Sequence, residues 1–145
     1  TATVCLARQK RNDVYSQRMK NFAWNDLTLA QWEAIDRGYN TAVLTDRHGY
    51  LTEGPGFNIG FISKDGFVYA PRSNCLLGTV METVREKCNT KGVQFFYTDI
   101  SMHTVIEDMD AMFLTSTAGN VIPVSKFEDI VFDENEILSW LKNSF

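Results

Sequence analysis

The feature that most restricts the fold of this chain is the rhythm of its middle third. Short apolar runs at residues 41–45, 57–62 and 67–70 are punctuated by His48-Gly49 and Asp65-Gly66. Runs this short suit strands rather than helices, and Asp-Gly between two of them is a strong hairpin signal. An antiparallel meander is expected. Most strand connections are too short for the dozen or so residues that a parallel crossover takes.

Helices flank this meander. Asn25 or Asp26 is a plausible N-cap for a helix over about 27–37, with Leu29, Trp32 and Ile35 along one face and Gly38 as its left-handed stop. Residues 79–91 carry Val80, Val84 and Cys88 at helical spacing and close at Gly92, before a strand over 93–98. Further strands are expected at 3–8, 111–115 and 121–124, with a short polar helix at 103–107. An Asp133-capped terminal helix runs through Ile137, Leu138 and Leu141. The fold class is mixed α and β with largely antiparallel pairing, and 145 residues make one domain.

Composition narrows the function. The net charge is −4, from 14 Lys and Arg against 18 Asp and Glu, with no basic cluster, so nucleic acid is not an expected partner. No apolar run approaches the 18 or so residues of a membrane span, and no membrane partner is expected. Cys5, Cys75 and Cys88 are an odd set without CxxC spacing, and His48 and His103 stand in unrelated contexts. A disulfide framework and a metal site are therefore not expected, and the reading of compartment is cytoplasmic.

Single residues are ambiguous. A lone lysine such as Lys20 is ordinarily solvated surface. Glu53, in Thr52-Glu53-Gly54-Pro55-Gly56, is either an exposed turn residue or a site carboxylate. Leu77-Gly78-Thr79-Val80 opens a helix whose free N–H groups suit an anion, or is a plain helix start. Thr115-Ser116-Thr117-Ala118-Gly119 offers hydroxyls to a phosphate, or forms an ordinary turn.

In combination these segments carry a resemblance. Lys20-Asn21-Phe22-Ala23-Trp24-Asn25-Asp26-Leu27, then Leu51 through Ile59, then Leu76-Leu77-Gly78, then Phe113 through Gly119 with Pro123, are similar in order and content to the fold-type IV pyridoxal-phosphate enzymes. That family includes branched-chain aminotransferases, D-amino-acid transaminases, (R)-selective amine transaminases and aminodeoxychorismate lyase. It implies a distorted, largely antiparallel β-barrel-like core with flanking helices. Its implied cofactor is pyridoxal 5'-phosphate, and its substrates are a small-molecule amino donor and a keto-acid acceptor. The resemblance makes Lys20 the Schiff-base lysine and proton shuttle, and Glu53 the carboxylate facing the pyridine nitrogen. Gly78, Thr79, Val80, Ser116 and Thr117 match phosphate-binding positions, Leu76 a residue packed on the ring, and Trp24 a residue near the lysine.

Departures accompany the matches. Gly78-Thr79-Val80-Met81 stands where relatives commonly have Gly-Val-Thr-Arg or Gly-Ile-Thr-Arg, and Asn25 where branched-chain enzymes have a tyrosine. The family's additional N-terminal domain has no counterpart here, so the chain reads as the C-terminal cofactor domain alone, expected to self-associate as a homodimer. A lyase of the aminodeoxychorismate type, and a non-catalytic cofactor-binding or assembly domain, are the alternative functions.

Overall fold

A computed structural model describes residues 1–11, 25–72, 75 and 78–145. The element order is β1 (Ala2–Leu6), α1 (Asn25–Asp36), β2 (Thr41–Val43), β3 (Glu53–Gly54), β4 (Phe57–Ser63), β5 (Val68–Pro71), α2 (Thr79–Lys91), β6 (Phe95–Thr98), α3 (Met102–Asp108), β7 (Met109–Ser116), β8 (Asn120–Phe127), β9 (Ile130–Val131) and α4 (Glu136–Asn143).

The sheet runs β2-β1-β8-β7-β4-β5-β6, with β3 on β4 and β9 on β8. Five strand pairs are antiparallel: β3/β4, β4/β5, β4/β7, β7/β8 and β8/β9. Three pairs are parallel: β1/β2, β1/β8 and β5/β6. Two of these three depart from the expectation of short connections, because α1 and α2 lie between β1 and β2 and between β5 and β6.

The sheet also closes on itself. The Leu44 N–H donates to the Glu53 carbonyl at 3.0 Å, and the Thr52 N–H donates to the Leu44 carbonyl at 2.9 Å. These bonds join the end of β2 to β3, completing a circuit β2-β1-β8-β7-β4-β3. The barrel-like core arises in this way, while the second half of β4 keeps β7 on one edge and takes β5 on the other.

Alternation along the strands separates two cores. Ile59 and Phe61 of β4 with Met112 and Leu114 of β7 fill the barrel, beside Val4, Leu51 and Phe127. Ile62, Ala111 and Phe113 point the other way, onto Met81, Val84 and Cys88 of α2 and Leu138 and Leu141 of α4. Gly60 is required on that second face, because a Cβ there would overlap the Phe113 ring. Each fully buried aliphatic or aromatic side chain contributes about 1.5–3 kcal/mol.

Two details correct the sequence expectation. Helix α1 buries Leu27, Ala30 and Ala34 against β1 and β2, whereas Leu29, Trp32 and Ile35 face outward, Trp32 at 61% exposure. Small alanines let the helix approach the sheet closely, and this outweighs the bulkier stripe. Helix α4 is capped by Asn135, whose Oδ1 accepts from the Leu138 N–H at 3.0 Å, and not by Asp133. Asn's reach to the third residue satisfies an otherwise unpaired donor of the first turn.

Candidate functional site

Glu53 is buried, at 6% exposure, which removes the exposed-turn reading. Its strand is pressed against β2, since a Cβ at Gly54 would overlap the Ala42 carbonyl oxygen. Only glycine permits that approach. The Glu53 Oε1 accepts from Arg11 Nε at 3.2 Å, and Arg11 Nη1 donates to Asp26 Oδ2 at 2.6 Å. All three side chains are nearly inaccessible to water. Asp26 is anchored in turn by its own Oδ1, which accepts from the Leu27 N–H at 2.8 Å in the first turn of α1. A carboxylate is favoured there by the positive end of the helix.

A row of cross-strand partners leads from Glu53 to the other candidates. Glu53 on β3 stands opposite Asn58 on β4, and Asn58 stands opposite Thr115 on β7. Asn58 and Thr115 follow the alternation of Gly60 and Phe113 and so face α2. Gly78, the N-cap of α2, abuts Asn58 so closely that a Cβ would overlap Asn58 Oδ1. Glycine at the cap thus brings the helix end down onto this row. Thr52, Asn58 and Gly78 line a small cleft with Pro71, Cys75 and Tyr97 among its other walls.

The cleft's helix end suits an anion. The N-cap residue Gly78 supplies no side-chain cap, so the leading N–H groups of α2 have no side-chain acceptor from that position. Thr115 Oγ1 is the one side-chain N or O atom among the described residues that is buried without a hydrogen-bond partner. Such a hydroxyl ordinarily costs about 1–3 kcal/mol and suits a ligand that accepts its proton. Thr79 is exposed and Val80 half-buried beside it. The Ser116 hydroxyl accepts from the Gly119 N–H at 3.1 Å and retains a proton to donate, while Thr117 is exposed at the tip of the same turn.

Farther along α2, the Tyr97 hydroxyl donates to Glu82 Oε2 at 3.0 Å, and Arg85 Nε donates to the same oxygen at 2.8 Å. Arg85, and after it Tyr97, hold the Glu82 carboxyl below its usual range. Burial, then the bond to Glu82, pushes the Tyr97 phenol up.

The structure therefore brings Glu53, Gly78 and the 115–117 turn together through Asn58. Lys20, Trp24 and Leu76 lie outside the described residues. Arg11 and Asn58 were given no site role by the sequence reading, which named Asp26 only as a helix cap and Thr115 only as one hydroxyl of its turn. Asn58 carried a usable signal, a lone amide inside the apolar run 57–62, whereas nothing around Arg11 distinguishes it from a surface arginine.

Comparison with known proteins adds to the geometry. A family model described as amino-transferase class IV matches residues 1–127. A branched-chain-amino-acid aminotransferase of Pseudomonas aeruginosa is 32% identical over 127 residues, covering 87% of this chain and 41% of the relative. A solved branched-chain amino acid aminotransferase from T.th., complexed with N-(5'-phosphopyridoxyl)-L-glutamate, superposes with a TM-score of 0.91 at 25% identity. The match covers 99% of this chain and 50% of that one. The PLP form of the Thermobaculum terrenum branched-chain enzyme shares the fold, with a TM-score of 0.91 at 22% identity, covering 99% of this chain and 49% of the other. This chain thus spans about half the length of the proteins it matches.

Proposed function

Because the chain belongs to the class IV aminotransferase family, we propose that it binds pyridoxal 5'-phosphate and serves the transfer of an amino group from an amino acid or amine to a keto acid. In two half-reactions the donor leaves as its carbonyl counterpart and the acceptor leaves as an amine. The bound cofactor would supply an electron-poor ring that takes up the electrons of the breaking Cα–H bond.

The observation that carries the reading is the buried Glu53 carboxylate, ion-paired to Arg11, on one cross-strand row with a partnerless Thr115 hydroxyl beside a helix end that has no side-chain cap from Gly78. These residues fit the cofactor. Glu53 would meet the protonated ring nitrogen with a charge-assisted hydrogen bond. Gly78, Thr79 and Val80 would offer backbone N–H groups to the phosphate, and Thr115, Ser116 and Thr117 their hydroxyls. Lys20 would hold the cofactor's aldehyde carbon through Nζ and carry the substrate's α-proton on the same atom. Trp24 and Leu76 would flank the ring.

We assign the chain to the cofactor-carrying region of such an enzyme, working as a homodimer in the cytoplasm. The outward stripe of Leu29, Trp32 and Ile35 supports self-association, and the buried free thiols Cys5 and Cys88 suit a reducing compartment.

Titration with pyridoxal phosphate followed by borohydride reduction and peptide mass mapping tests the reading. Saturable visible absorbance and a reduced adduct at Lys20 are expected. Labelling spread over Lys10, Lys64 and Lys126, without saturation, would refute it. Pyruvate release from aminodeoxychorismate in place of amino transfer would establish the lyase alternative.

A further inference from the structure

We propose that Arg11 is a positioning residue: it keeps the Glu53 carboxylate charged and aimed, and is itself held in register by Asp26. The proposal rests on the reading of Glu53 as the partner of a ring nitrogen.

The geometry runs in one direction. Asp26 is fixed at two oxygens, one on the Leu27 N–H and one on Arg11 Nη1. Arg11 is fixed at its backbone, whose N–H donates to the Thr45 carbonyl at 2.8 Å, and at its guanidinium. The nitrogen that remains in line, Nε, meets Glu53 Oε1. Two different nitrogens of one planar fork thus address two carboxylates from two elements, α1 and β3. A lysine, with one compact ammonium, cannot reproduce this.

Stability alone is a poor reason to bury such a cluster, since ion pairs of this kind exchange for apolar residues with little loss. Function supplies a better one. A carboxyl group buried without a cation takes up a proton, and a neutral carboxyl no longer matches a protonated ring nitrogen. Among the described residues, Glu53 meets the charged Arg11 and, behind it, Asp26, whereas Asn58, opposite it on β4, does not titrate. Asp26 alone would favour protonation of Glu53. Arg11 reverses that influence.

The test starts from cofactor-free protein labelled with 13C at the glutamate side-chain carboxyls, the Glu53 signal being assigned through E53Q. In R11Q the Glu53 ionisation constant is expected to fall about 10- to 1,000-fold, the usual effect of removing an adjacent cation. R11K should recover part of that loss. R11Q/D26N removes the Asp26 charge together with the cation, so it serves if R11Q does not fold, and a fall in the same direction but smaller than in R11Q is expected. With saturating pyridoxal phosphate labelled with 15N at the ring, the nitrogen should be protonated in the wild type and R11K, and shift towards the unprotonated resonance in R11Q. A Glu53 that titrates identically in the wild type and in the folded variants overturns the proposal and leaves Arg11 a structural residue. Failure of the wild type to take up the cofactor would instead remove the functional reading, and the Glu53 titration would still decide the role of Arg11.

Discussion

The two ends of the candidate site are built by different means. At the Glu53 end, three charged side chains from separate segments are locked together out of water, and the backbone only brings them within reach. At the Gly78 end the polar groups belong to the backbone of α2 and to a few hydroxyls, and a glycine with no side chain sets the approach. The first arrangement sets a cation between two carboxylates, whereas the second presents donors of fixed direction to any anion of the right shape. A cofactor with a titratable ring and a permanently charged phosphate needs one of each. The contrast also predicts how each end fails: the charged end through orphaned charge, the backbone end through steric blockage.

The largest effect is expected from Arg11→Met. Removing the cation takes from Asp26 and Glu53 the guanidinium they share, and breaking a buried pair in this way costs about 3–5 kcal/mol. In a domain with about 5–15 kcal/mol in hand, chemical denaturation should register this as a large shift of midpoint. A loss below about 1 kcal/mol would show that the cluster is solvated and that the two ends do not differ as described.

Gly78→Ala should come next. The added methyl would overlap Asn58 Oδ1, so either the helix end or the amide must move, at a cost of about 1–3 kcal/mol. Pairing it with Asn58→Ala removes the obstacle, and the double variant should recover stability relative to Gly78→Ala alone. Additive losses in that cycle would mean that Asn58 and the helix cap are independent.

How far the sequence foretells these two ends follows from what each is made of. Helix α2 spans the expected residues 79–91, because apolar spacing and Gly92, at φ +84°, bracket it. The β4/β5 hairpin follows from Asp65-Gly66, with the Gly66 N–H donating to the Ser63 carbonyl at 2.9 Å. Local signals thus suffice for the Gly78 end. The Glu53 end depends on residues 15 and 42 positions apart in sequence, Arg11 with Asp26 and Arg11 with Glu53, and no spacing rule connects them. The two-residue strand β3 that closes the barrel has no periodicity to read. Tertiary closeness likewise decided which face of α1 is buried, in favour of Ala30 and Ala34 over Trp32.

Thr115→Val makes a smaller and opposite change. It removes a buried hydroxyl that has no partner while keeping the branched shape, so stability should rise by up to about 1 kcal/mol. Affinity for pyridoxal phosphate, followed by calorimetry, should fall in the same variant. Loss of stability without loss of affinity would place Thr115 in the fold rather than in the site.

The smallest effect belongs to Tyr97→Phe, and its pH dependence sharpens the contrast. At neutral pH the variant forfeits one hydrogen bond to Glu82, a side chain that is 45% exposed, so the loss should be about 0.5–1 kcal/mol. Burial pushes the Cys88 thiol up to about 11, and burial with the Glu82 bond raises the Tyr97 phenol as well. In the unfolded chain these groups ionise near pH 8.5 and 10 respectively. Above those values the unfolded state sheds protons that the native state still holds, so stability is present at neutral pH and declines as pH rises through the native values. Tyr97→Phe removes the phenol's share of that decline. Melting curves from about pH 7 to 10.5 should therefore show the gap between variant and wild type closing as pH rises, whereas a gap constant across that range would show that the Tyr97 phenol does not ionise differently in the two states.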